Sequence, residues 1–399
     1  MRRTFPPPRH GASLAAVVAA IGALAFVALG GSSPRSDAVE TRVDEQILRG
    51  RALVVSYGCS GCHSGVLDPA GDGYLAGIKS DEGAFKIQGF TTRPRNLTPD
   101  NTTGLGRFSE RQIFNALRFG LRPGETPDVE ITSRTSGQGN FPARPKYLAP
   151  PMPWPTYRHL TDQELWDIAA YLKKGVKPVA NRVMDSEGPP DFWAGAYAEL
   201  IGPYPVAAFP TANERVGGAP RDRLERGRKL AITMACGDCH GARDNPAAEG
   251  WLVGGRTPTD TFRIGPFVTR ARNLTPDSAT GIGRYTERQL FNALRYGLQP
   301  AATPDVEITS TVPGQGNFPA QPHYLAPPMP WPVWRHLSDD QLRDLVAYIK
   351  HGLRPVHNEV PASQGPPDFW ASGVTVEALG PYPASPFPTR NEVAPAPKR

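Results

Sequence analysis

Cys59-Ser60-Gly61-Cys62-His63 and Cys236-Gly237-Asp238-Cys239-His240 decide how this chain is read. Cys-x-x-Cys-His is an attachment pattern for c-type haem. The two thiols add to the vinyl groups of the porphyrin. The two-residue spacer sets both sulfurs along one edge of the ring, and the adjacent His is held under the iron. The chain has 4 cysteines, all of them in these two stretches. None is left for a disulfide or a further thiolate site. A single Cys-x-x-Cys also suits a redox dithiol or half a zinc site. Two copies, each followed at once by His, favour covalent haem over both. The expected cofactors are two covalently attached haem c groups, held by Cys59, Cys62, Cys236 and Cys239, with His63 and His240 on iron.

Outward from the motifs, the sequence repeats itself at an offset of 177 residues. Cys59 maps to Cys236 and His63 to His240. Arg95-Asn96-Leu97-Thr98-Pro99-Asp100 maps to Arg272-Asn273-Leu274-Thr275-Pro276-Asp277, and Met152 to Met329. After the Gly-Pro-Pro-Asp-Phe-Trp stretches at 188–193 and 365–370, the second copy gains one residue. A period this long points to an internal duplication. It divides the chain into domains 41–215 and 216–399, joined near Val216-Gly217-Gly218-Ala219-Pro220. Each half is expected to hold three helices. The first leads into the haem motif and carries Gly50 or Gly227, where another helix can approach closely. The second starts at Ser109 or Thr286 and the third at Thr161 or Ser338. Each is followed three residues later by Gln or Glu, the pattern of a capping box. Ile113, Phe114, Leu117 and Phe119 form the apolar stripe of the second helix, and Leu165, Ile168, Ala169 and Leu172 that of the third. A long Gly/Pro-rich loop between them suggests packing against a haem face.

An iron held by His has a sixth position to fill. Of the 5 methionines, only Met152 and Met329 occupy matching places. Each sits in Pro-Pro-Met-Pro-Trp, where prolines fix φ and stiffen the loop. They are the expected sixth ligands, against the alternative of core-filling methionines. His159 and His336 also match but are expected to bond locally. Arg95, Asn96, Arg272 and Asn273 suit either a haem propionate or a structured turn. Trp154 and Trp331 suit either a haem edge or the core. His323, His351 and His357 have no matching His and are expected at the surface.

Gly and Pro together make about a fifth of the chain, as in a loop-rich protein whose prosthetic groups supply part of the core. Arg2, Arg3 and Arg9 precede an uncharged run at 14–30 and a polar stretch. This predicts a signal peptide or N-terminal membrane anchor over residues 1–40, with the remainder on the periplasmic side of the bacterial cytoplasmic membrane. The net charge is +6 without any basic block, so nucleic-acid binding is not supported.

The series Cys-x-x-Cys-His, then Asn-Leu-Thr-Pro-Asp, then Thr103-Gly104-Leu105-Gly106-Arg107-Phe108-Ser109, then Pro-Met-Pro before a capped helix resembles a known family. It is similar to the cytochrome c domains of multihaem subunits that accompany bacterial membrane-linked alcohol, aldehyde and gluconate dehydrogenases. The resemblance covers roughly 45–175 and 222–352. It implies a mainly α fold of two tandem cytochrome c-type domains with long Pro/Gly-rich loops, low-spin His/Met haems, and passage of electrons from a dehydrogenase toward the respiratory chain. The partners would be redox donor and acceptor proteins: a membrane dehydrogenase and a respiratory acceptor. Two haem motifs stand where some such subunits have three, and each half adds an insertion near 129–146 and a Pro-rich tail. With both irons filled by the same ligands, a role in electron transfer without substrate chemistry is favoured. The alternative is a dihaem enzyme such as a peroxidase or a thiosulfate-oxidising cytochrome.

Overall fold

The computed structural model describes residues 45–393 apart from 190, 192 and 256–259. The segment expected as signal or anchor lies outside them. Among the described residues the fold is mostly helical. In the first half, α1 (Glu45–Ser56) leads through Gly58 into α2 (Cys59–His63). A hairpin of β1 (Phe85–Ile87) and β2 (Phe90–Thr92) follows, then α3 (Glu110–Phe119), the short α4 (Trp154–Tyr157), α5 (Asp162–Ala170) and α6 (Trp193–Leu200). The second half has the same order: α7 (Arg221–Thr233), α8 (Cys236–His240), β3 (Thr261–Ile264), β4 (Phe267–Arg270), α9 (Glu287–Tyr296), α10 (Trp331–Trp334), α11 (Asp339–Ala347) and α12 (Val376–Leu379). Both hairpins are antiparallel, with Ile87 opposite Phe90 and Ile264 opposite Phe267.

The helix starts follow from their caps. Ser109, Thr286, Thr161 and Ser338 each accept from the backbone of the third helical residue, whose side chain bonds back to the cap. Such boxes satisfy donors that the first turn leaves unpaired. Helices α3 and α9 end on Gly120 and Gly297 in the left-handed conformation, which glycine adopts at little cost.

Helix α1 crosses α5, and α7 crosses α11, at glycine. A Cβ on Gly50 would lie 1.9 Å from the Asp167 carbonyl oxygen, and one on Gly227 2.0 Å from that of Asp344. Arg49–Asp167 at 2.7 Å and Arg226–Asp344 at 2.6 Å lock the same crossings. The third-helix stripe is buried as expected: Leu165, Ile168, Ala169 and Leu172 all lie in the core. On α3 the stripe is shifted. Ile113 and Phe114 are buried and Leu117 and Phe119 only half so, while Asn115 and Arg118 are buried with them. Those two polar side chains hold neighbouring backbone carbonyls, Asn115 those of Pro127 and Val129, Arg118 that of Arg158. The long loop is not held by a haem face throughout. Its middle folds on a small core of Leu121, Ile131 and Phe141, while its start at 122–125 and its end at 148–153 reach the cavity described below.

Candidate haem-binding cavity

Each Cys-x-x-Cys-His is a single helical turn. Its first Cys follows a residue in the left-handed region, Gly58 at φ 64° and Ala235 at φ 58°. A helical turn brings residues three apart to one side, so each thiol pair faces the same way. His63 Nδ1 lies 2.7 Å from the carbonyl oxygen of Arg95, and His240 Nδ1 lies 2.6 Å from that of Arg272. A carbonyl only accepts, so Nδ1 carries the proton and Nε2 keeps its lone pair, as a metal-binding imidazole requires. Burial pushes both imidazoles below their ordinary range, against the raising effect of the carbonyl bond, so both are neutral at pH 7.

One continuous cavity of about 3500 Å³ takes in Cys59, Cys62, His63 and Met152 from the first half, and Cys236, Cys239, His240 and Met329 from the second. A single-ligand site holds about 300–1,000 Å³, so this space suits more than one large group. Apolar side chains from α3, α5 and their counterparts line it, among them Leu117, Ile168, Leu294 and Leu345. Both methionines are half-buried against the cores of their own halves. Burial pushes the Cys59 and Cys236 thiols up to about 12, the opposite of what an activated redox thiolate needs. Among the described residues no three His, Cys, Asp or Glu side chains converge as a shared metal ion would require. The residues therefore fit a covalently held haem in each half: two thiols on one side of a turn, a neutral imidazole fixed through Nδ1, and a thioether lining the same apolar space.

Other expected residues divide cleanly. Asn96 is committed to a turn: it donates to Thr103 and the Val179 carbonyl and accepts from Thr98, and Asn273 does the same in its half. Arg95 and Arg272 line the cavity while bonding to the backbone of the tails at 183–184 and 360–361. Trp154 and Trp331 are core residues stacked on Tyr147 and Tyr324. His159 and His336 lie away from the cavity lining, His159 on Asp244 and His336 beside Tyr382. His323 and His357 are exposed, whereas His351 is half-buried and paired with Glu287. Lys173 and Lys350 did not stand out in the sequence. Each donates to carbonyls of the loop at 105–108 or its counterpart at 283–285, which borders the cavity. Their matching positions in the two copies were the available signal.

Residues 224–352 match the cytochrome c family. The chain is 28% identical to the gluconate 2-dehydrogenase cytochrome c subunit of Pantoea cypripedii, over 83% of this chain and 63% of that protein. It is 26% identical to the cytochrome c subunit of the quinone alcohol dehydrogenase of Gluconacetobacter polyoxogenes, over 81% of this chain and 58% of that protein. It is also 26% identical to a diheme cytochrome c-type protein of Cereibacter sphaeroides, over 56% of this chain and 67% of that protein. The chain thus spans about three-fifths of the two dehydrogenase subunits. The second half carries a match to the cytochrome c family over residues 224–352, and the chain as a whole is similar to the cytochrome c subunits of these dehydrogenases.

Proposed function

We propose that this chain is a dihaem c-type cytochrome that transfers electrons from a periplasmic or membrane dehydrogenase toward the respiratory chain. Its two domains, 41–215 and 216–399, are the products of an internal duplication, and residues 1–40 deliver it to the periplasmic side of the membrane as a cleaved signal or a retained anchor. The observation that carries the reading is the sharing of one cavity by two Cys-x-x-Cys-His turns and two methionine loops. Cys59 and Cys62, and Cys236 and Cys239, hold the haems as thioethers. His63 and Met152, and His240 and Met329, would hold the two irons. Bound haem supplies a one-electron Fe(III)/Fe(II) couple, and His/Met ligation raises its potential. The carbonyls of Arg95 and Arg272 keep each imidazole in one tautomer, and the apolar walls exclude water. Among the described residues no helix is long and apolar enough to cross a membrane.

Denaturing mass spectrometry of the chain as produced with its haems is expected to show two added haems. One or none ends the dihaem reading. Stopped-flow mixing with a membrane dehydrogenase fraction and its substrate is expected to reduce both haems, without sustained peroxide consumption. Steady peroxide turnover by the purified protein would move the reading to the enzyme alternative.

A further inference from the structure

The two methionine loops are anchored differently, and the difference lies in one carboxylate. Asp244 is four residues past His240 in the sequence, yet its bonds go to the first half. Its Oδ2 accepts from Arg158 Nη2 at 2.6 Å and lies 2.9 Å from His159 Nε2. Its Oδ1 accepts from the Gly202 backbone at 2.9 Å. Asp244 is 2% exposed and Arg158 4%, so the charges meet in a dry seam between the halves, where an unpaired partner is costly.

Arg158 and His159 close the turn that begins at Met152. Pro153 caps α4. The backbone N–H of Arg158 bonds to the Trp154 carbonyl, that of His159 to the Thr156 carbonyl, and Arg158 Nε to the Pro155 carbonyl. Whatever grips Arg158 and His159 grips the base of the Met152 loop. The second half repeats the turn with Arg335 and His336, but the residue matching Asp244 is Leu67. Arg335 there bonds to the backbone carbonyls of Pro332 and of 379–381. Among the described residues no carboxylate lies within ion-pair distance of its guanidinium, and Asp68 acts on it only from farther away.

We infer that Asp244 is a positioning residue for Met152: a residue from the haem-attachment loop of the second half holds the axial-methionine loop of the first. The inference rests on the proposal that both methionines ligate iron. It makes the two sites inequivalent despite matching ligands, with Met152 the more firmly held of the two.

The test separates the sites by removing one methionine signal at a time. In a Met329→His background, the long-wavelength ferric band of methionine–iron ligation reports only the first half. In a Met152→His background it reports only the second. Adding Asp244→Asn to the first background is expected to lower by about tenfold the imidazole concentration that displaces the methionine, the scale on which outer-shell partners act. Adding it to the second is expected to leave that concentration unchanged. His159→Phe, which keeps a ring but removes one donor to the same carboxylate oxygen, is expected to act in the same direction and serves if Asp244→Asn does not take up haem. Equal displacement with and without the substitution in the Met329→His background, or a shift confined to the Met152→His background, overturns the inference. Absence of the methionine band from the unsubstituted protein would instead defeat the ligand assignment on which it rests.

Discussion

At the scale of single residues, the chemistry depends on how each ligand is held. Met152 and Met329 each belong to one half, so Met152→His and Met329→His are each expected to lower one midpoint potential and spare the other. Axial ligands set haem potentials over about 0.8 V, so a drop on the order of 0.2 V should be resolved by potentiometric titration. Unchanged potentials in both variants would mean that neither Met ligates. Asp244 gives a second residue-scale expectation. Burial opposes its charge, but the His159 bond and the Arg158 guanidinium outweigh that and hold the carboxyl at about 2. Burial likewise, against the opposing bond from Asp244, keeps His159 below its ordinary range. Both shifts are downward, so the unfolded chain binds more protons than the folded one. Stability from His159 is complete above pH of about 6.5 and falls below it, and that from Asp244 falls between about pH 4 and pH 2. Urea denaturation across that range should show the decline, and Asp244→Asn should flatten its acid end. A decline of the same steepness in the variant would show that other groups carry it.

At the scale of elements, the crossings of α1 with α5 and α7 with α11 are set by glycine. Gly50→Ala and Gly227→Ala each drive a Cβ into a backbone carbonyl, and overpacking of this kind costs about 1–3 kcal/mol. Thermal melting should fall in both, while Gly217→Ala, where a Cβ meets nothing within 4 Å, should be near neutral. A Gly50→Ala protein as stable as the parent would mean the helices separate freely there. These glycines were legible in the sequence because they recur within amphipathic helices, and the four capping boxes because their residues are adjacent in the chain. The burial of Asn115 and Arg118 was not legible, since a polar side chain on a helix reveals its loop partner only after folding. Nor was the role of the Arg95 and Arg272 carbonyls: a backbone acceptor leaves no mark on residue type. The small core of the loop around 129–146 was not legible for a related reason. It joins Leu121 to Phe141 across the insertion, a pairing with no periodicity to expose it.

At the scale of the molecule, the two halves hold each other by their tails. Glu214, at the end of the first half, is buried in the second, 2.7 Å from Arg228 Nε and bonded to the Tyr348 hydroxyl. Glu392, at the end of the second half, is buried in the first, 2.6 Å from Arg51 Nε and bonded to the Tyr171 hydroxyl. Backbone bonds extend each strap: Lys177 to Asn391 and Val393 to Gly175 on one side, Arg354 to Asn213 and Arg215 to Gly352 on the other. The exchange makes the stability of each half depend on residues far away in sequence. Glu392→Ala leaves Arg51 and the Tyr171 hydroxyl without their carboxylate. Removing one partner of a buried ion pair costs about 3–5 kcal/mol. The cost should fall on α1 and α5, more than 200 residues away, because α1 carries Arg51 and Tyr171 directly follows α5. Hydrogen exchange should then quicken in α1 while α7 and α11 keep their protection, and Glu214→Ala should produce the mirror result, quickening α7 while α1 is spared. If Glu392→Ala instead loosened α7 and α11, or loosened both halves equally at every amide, the straps would not be the local anchors that their buried carboxylates indicate, and the halves would be coupled through the shared cavity and the Asp244 seam instead.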